Sequence, residues 1–137
     1  MDYQNLAYAL TQVAHNFGAV IVVAAPLYLL STRLEKDTRF LLWLVLAGWL
    51  VQIGSGVLFG LVSVYYYGQL PDIRGLAIAA LLTKMTCAGL GVALAIAMLK
   101  RKIDPDCTAA SGRWSWRGLA ALGAIALAAA AFLRWYS

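Results

Sequence analysis

Four long apolar stretches separated by short polar ones decide what this chain can become. They cover about residues 6–30, 40–66, 75–99 and 117–135, and a helix needs roughly 20 apolar residues to cross a bilayer core about 30 Å thick. The fourth reaches that length only with the residues that flank 119–133. Lipid leaves no water for unpaired backbone groups, so stretches of this kind fold as helices. The expected fold class is therefore all-α: an integral membrane four-helix bundle, one domain over residues 1–137.

Composition agrees. The chain is 63% hydrophobic and 12% charged, about half the charged share of a soluble domain. Met1 to Asn5 contain no basic residue, and no small-residue cleavage pattern follows. The first span is thus expected to be retained rather than removed as a signal peptide.

The net charge of +5 is distributed in a way that argues against nucleic acid as a partner. Its cations sit in short segments between apolar spans, as in proteins whose topology is set by charge. The first loop has Arg33, Lys36 and Arg39, and the third has Lys100, Arg101, Lys102, Arg113 and Arg117. The opposite side has only Arg74 and Arg134. Positive loops stay in the cytoplasm, so the expected orientation is N-out/C-out. The expected location is a bacterial cytoplasmic (inner) membrane, with membrane lipids around the bundle. The basic loop from Lys100 to Arg117, broken by Asp104-Pro105-Asp106 and Ser111-Gly112, either sets topology alone or also attracts anionic lipid. Trp43, Trp114 and Trp116 fit the inner interface, and Tyr65, Tyr66, Tyr67, Trp135 and Tyr136 the outer one.

Small residues suggest which helix faces pack. Gly48, Gln52, Ser55, Gly56, Phe59, Gly60 and Ser63 line one side of the second span. Gly56 and Gly60 form a GxxxG, which permits close backbone approach. Ala77, Ala80, Lys84, Cys87, Ala88, Gly91 and Ala95 share a face of the third span. The packing glycines expected are Gly48, Gly56, Gly60 and Gly91. Pro26 is expected to kink the first helix, which membrane bundles tolerate.

Polar residues inside a span point to function. Here they are Thr11, Gln12, His15, Asn16, Gln52, Ser55, Lys84, Thr86 and Cys87. At 1.5 Å per residue, His15 and Lys84 each lie about 13 Å below the outer boundary, Ser55 about 16 Å, and Gln52 one turn deeper. Three helices thus contribute to one polar layer.

Lys84 is the costliest of these, at about 2.5–3.5 kcal/mol on insertion scales. The six acidic residues, Asp2, Glu35, Asp37, Asp72, Asp104 and Asp106, are terminal or in loops. Lys84 therefore has no carboxylate within a span, which leaves four outcomes. It is neutral, snorkels outward, meets a carboxylate of another subunit, or binds an anionic cofactor group. His15, the only histidine, is either a helix-bridging hydrogen-bond group or a metal ligand, with Gln12 and Asn16 as natural partners. A metal would need a second ligand such as Met85, Cys87 or Lys84, or an open position. Cys87 and Cys107 form no CxxC pattern, so attached c-type haem and a zinc knuckle are unsupported. A Walker loop, a Rossmann glycine pattern and an intramembrane carboxylate are absent, and a complete catalytic set is not expected in this chain.

The residues His15, Ala24, Leu27-Tyr28-Leu29 and Arg33, then Ser55-Gly56 and Lys84-Met85, resemble the haem-associated membrane protoporphyrinogen oxidases and the copper-resistance D membrane proteins. The resemblance covers about three helices. It implies that His15 is a haem axial ligand and that Lys84 belongs to the same site. Val22 or Val23 replaces the tryptophan usual in the first helix, and Ala25-Pro26 replaces a glycine. The tryptophan before the third-helix lysine and a later histidine are missing.

These readings converge on an accessory subunit of a membrane electron-transfer complex, with haem b or a similar cofactor held by His15, Lys84, Gln52 and Ser55. Other membrane subunits or further copies of the chain are its expected partners. The alternatives are a protoporphyrinogen-oxidase-like haem enzyme, or a small transporter or metal-handling protein.

Overall fold

The computed structural model describes residues 3–32, 38–68, 75–100 and 108–136. Four helices account for nearly all of them: α1 (Tyr3–Thr32), α2 (Thr38–Tyr67), α3 (Leu76–Lys100) and α4 (Thr108–Tyr136). Each is long and apolar enough to cross a membrane. Even α3, with 25 residues, extends about 37 Å.

The helix ends at the α2–α3 connection have a local cause. Gly68 (φ 70°) and Gly75 (φ 55°) occupy the left-handed region, which glycine enters without a Cβ clash. The Gly68 N–H donates to the Val64 carbonyl at 2.9 Å and closes the last turn of α2.

The helices form a ring in chain order. α1 packs on α2 and α4, and α3 packs on α2 and α4, so α1 and α3 face each other diagonally. Gln4 at the start of α1 donates to the Tyr67 hydroxyl at the end of α2, at 2.6 Å. Further along, Gly18 faces the Gly48 backbone, so α1 and α2 run antiparallel. The core joins Val22, Leu42, Val45, Trp49, Cys87, Met98, Trp116 and Leu119. Outside it, Phe17, Val20, Leu50, Val57, Leu82, Leu90, Leu127 and Phe132 are exposed. Large side chains of this kind on every helix make an apolar exterior that suits lipid.

Glycines make the closest approaches, but not all of those expected. A Cβ on Gly48 would lie 2.8 Å from Ile21, and one on Gly91 would lie 2.4 Å from the Trp49 ring. Gly18 and Gly123, which the sequence reading did not single out, are close as well: a Cβ on Gly123 would lie 2.8 Å from the Val22 carbonyl oxygen, and one on Gly18 would lie 3.1 Å from the Gly48 carbonyl oxygen. Gly56 is different. It is exposed, and a Cβ there would meet nothing within 4 Å. Gly56 therefore makes no close contact among the described residues, because the α1–α2 crossing centres on Gly18 and Gly48. Gly60 is half-buried.

Two further expectations need adjustment. α4 starts at Thr108, well before residue 117, and runs through Ser111 and Gly112. Buried Trp116 (3% exposed) anchors this extension, and burial outweighs the helix cost of one glycine, about 1 kcal/mol. Trp116 is thus a core residue, whereas Trp43 and Trp114 are exposed. α1 is a continuous helix through Pro26, which is buried. Arg33, Lys36, Arg74, Arg101, Lys102, the turn residues Gln69 to Asp72, the Asp104-Pro105-Asp106 breaker and Cys107 lie outside the described residues, as do all six acidic residues.

Candidate functional site: a polar cluster across three helices

The buried face of α1 repeats at helical spacing through Thr11, His15, Gly18, Val22 and Ala25. That stripe turns His15 toward the bundle axis. On α2 the buried positions Gly48, Gln52 and Ser55 face it, because the glycine crossing brings the two backbones together. On α3 the buried face of Ala77, Ala80, Cys87, Ala88 and Gly91 carries half-buried Lys84 along the same side.

These faces meet in one hydrogen-bonded cluster. His15 Nδ1 lies 2.6 Å from Ser55 Oγ, and His15 Nε2 lies 2.8 Å from Lys84 Nζ. Gln52 Nε2 donates to the His15 backbone carbonyl. Ser55 Oγ donates to the Val51 carbonyl at 2.6 Å. The Phe59 ring stands edge-on to the imidazole, with centroids 5.8 Å apart at 72°, and Tyr8 stacks on Phe59 at 6.3 Å. His15, Gln52, Ser55 and Lys84, the four cofactor-site candidates, are therefore contiguous.

The other polar candidates lie elsewhere. Gln12 and Asn16 are exposed and bond to each other at 2.8 Å, so they are not the partners of His15. Each follows a buried residue of the α1 stripe, Thr11 or His15, by one position, so both lie on the same flank of it. Thr11 and Thr86 return their hydroxyls to carbonyls of their own helices, Ala7 and Leu82. Met85 is 62% exposed and is no second ligand for His15. Cys87 is buried in the apolar core.

α4 closes the layer without polar groups. Moving from Val22 back to His15, and as many residues forward from the contacting Gly123, reaches Ala130. The same count from the Leu94–Gly118 contact back to Lys84 reaches Ala128. The fourth wall at this level is thus alanine, with Ala126 and Ala129 buried.

Chemically, the cluster offers an imidazole held from one side by a hydroxyl and capped on the other by a primary amine. Among the described residues no three His, Cys, Asp or Glu side chains gather as a metal-binding group. The features sequence reasoning missed are Phe59 as a wall against the His15 ring and Gly18 as the enabling contact. Gly18 carried a signal, because it follows His15 by three residues and so shares its face. No family model matches the chain, and neither the curated proteins nor the solved structures include a significant relative.

Proposed function

We propose that this chain is an integral membrane protein that serves as an accessory subunit of a membrane electron-transfer complex, and that a b-type haem or similar cofactor binds at His15 beside Lys84. The observation that carries this reading is the 2.8 Å contact between His15 and Lys84. The resemblance singles out these same two residues, from helices that do not pack together.

The residues fit one axial ligand. Metal-bound histidines keep their second ring nitrogen on a hydrogen-bond partner that orients the ring, and Ser55 is such a partner for His15. The other nitrogen faces a lysine whose flexible stem can withdraw. In this reading His15 would hold the iron, Ser55 and Gln52 would hold His15, and Lys84 would supply a cation for an acidic group of the cofactor. When bound, haem supplies a one-electron carrier. No catalytic step is assigned to the chain, because its cluster contains no carboxylate and no second imidazole among the described residues.

The subunit reading has separate support. Gly56, half of a GxxxG, makes no close contact among the described residues, which leaves it open to a partner helix. The basic-residue asymmetry supports an orientation with both termini outside a bacterial inner membrane and the His15 layer in its outer half. Purification in mild detergent tests the proposal. A coloured chain that co-migrates with other membrane subunits is expected. A colourless chain that runs alone and monodisperse overturns it.

A further inference from the structure

We propose that Ser55 is a positioning residue that fixes His15 as its Nδ1–H tautomer, so that Nε2 is the lone pair this imidazole offers to a ligand. The argument counts protons. A serine hydroxyl has one hydrogen to donate and lone pairs to accept with. Ser55 Oγ lies 2.6 Å from the Val51 carbonyl oxygen, 3.3 Å from the Gln52 carbonyl oxygen and 2.6 Å from His15 Nδ1. Helical serines donate back to the carbonyl one turn earlier. With that proton directed at Val51, Oγ can only accept from the imidazole, so Nδ1 carries the ring hydrogen.

Nε2 is then an acceptor, and it faces the donor Lys84 Nζ at 2.8 Å. The three contacts, Lys84 to Nε2, Nδ1–H to Ser55 and Ser55 to Val51, are satisfied together. The opposite tautomer breaks two of them. Ser55 must turn its proton to Nδ1, which strips the Val51 contact, and an Nε2–H would point at a Lys84 ammonium, which has no lone pair to accept it. Two neighbours keep the ring from evading this choice: Phe59 stands edge-on to its plane and Gln52 holds its backbone carbonyl.

It follows that Lys84 is a reversible occupant of the ligand position, whereas Ser55 is the fixed partner behind it. A ligand that needs the imidazole displaces Lys84 and leaves the Ser55 contact intact. The tautomer is a property of the chain alone, and it stands or falls independently of haem.

Nitrogen-15 NMR of the histidine-labelled chain in lipid nanodiscs, with no haem added, tests this. The sequence has one histidine, so every imidazole signal is His15. The wild type is expected to show a protonated Nδ1 and an unprotonated Nε2. Lys84→Met and Ser55→Thr are expected to keep that pattern, since both retain the hydroxyl at position 55. Ser55→Ala combined with Lys84→Met, which removes the donor that also faces Nε2, is expected to lose it, with the ring hydrogen moving to Nε2 or exchanging between the two sites. A wild-type spectrum with the hydrogen on Nε2 overturns the proposal, as does the double variant with an unchanged spectrum or Lys84→Met alone with a switched one. Where the double variant does not fold, the wild-type, Ser55→Thr and Lys84→Met spectra decide.

Discussion

Lys84 of α3 reaches His15 of α1 at 2.8 Å across the diagonal of a bundle in which those two helices do not otherwise pack. A hydrogen bond between side chains is the described link between them. It answers the question raised by a lysine inside an apolar span, because the Lys84 amine turns inward to an imidazole. The contact ties the polar layer to all of its contributing helices at once.

Lys84→Met separates the roles of charge and bond. The substitution removes the burden of placing a lysine inside a membrane, about 2.5–3.5 kcal/mol on insertion scales. It also removes a hydrogen bond worth about 0.6–1.7 kcal/mol in membrane bundles. The chain is therefore expected to fold as stably as the wild type or more so in detergent unfolding titrations, while haem affinity falls through loss of the cation. A folded variant with undiminished haem affinity would remove Lys84 from the site.

Glycines on the packed and open faces should respond oppositely. Gly91→Ala drives a methyl to 2.4 Å from Trp49 Cε2, and overpacking of that kind costs about 1–3 kcal/mol. Gly123→Ala meets the backbone carbonyl of Val22 at 2.8 Å, which cannot rotate away, so a similar loss is expected. Gly56→Ala meets nothing within 4 Å and gains helix propensity, up to about 1 kcal/mol. Unfolding titrations of the isolated chain that rank Gly56→Ala below Gly91→Ala would contradict the packing described.

Trp49 is the largest of the fully buried side chains, at 1% exposure, and its ring lies against Gly91. Its indole N–H is buried without a hydrogen-bond partner among the described residues. Trp49→Ala should cost about 3–5 kcal/mol, as large aromatic truncations in cores do. Trp49→Phe should cost far less than that, because it also deletes an unsatisfied donor, itself worth about 1–3 kcal/mol. Equal losses for the two variants in the same unfolding assay would show that ring volume is not what Trp49 contributes.

Gln52→Leu keeps the volume of the side chain and deletes its bond to the His15 carbonyl. That carbonyl also lies within α1, whose own ladder pairs it, so the loss should be under about 1 kcal/mol. Hydrogen exchange in nanodiscs should show faster exchange around His15 and little change in α4. Uniform change across all four helices would mean that the bond serves global stability.

Much of the architecture was legible from apolar length, because a bilayer-spanning stretch has one backbone solution. The small-residue face of α3 was legible too, since Ala77, Ala80, Cys87, Ala88 and Gly91 repeat at helical spacing and are buried together. Depth counted along the spans brings His15, Ser55 and Lys84 to one layer. Rotation about the helix axis was harder to read. α1 is apolar on nearly every side, so nothing local distinguished Gln12 and Asn16, which face out, from His15, which faces in. The same ambiguity set Gly56 beside Ser55 on an inward face, although one residue is a rotation of about 100°. The start of α4 was obscured because Ser111-Gly112 reads as a loop until the burial of Trp116 is known.

The central claim is that His15 holds a haem, and haem content of parallel preparations measures it most directly. The wild-type chain and His15→Ala would be purified from membranes, titrated with haem and compared by their Soret absorbance per chain. The account predicts a saturable band near one haem per chain for the wild type and its loss in His15→Ala, with both proteins folded by circular dichroism. A wild-type chain that takes up no haem, or a His15→Ala band equal to the wild type, would contradict it.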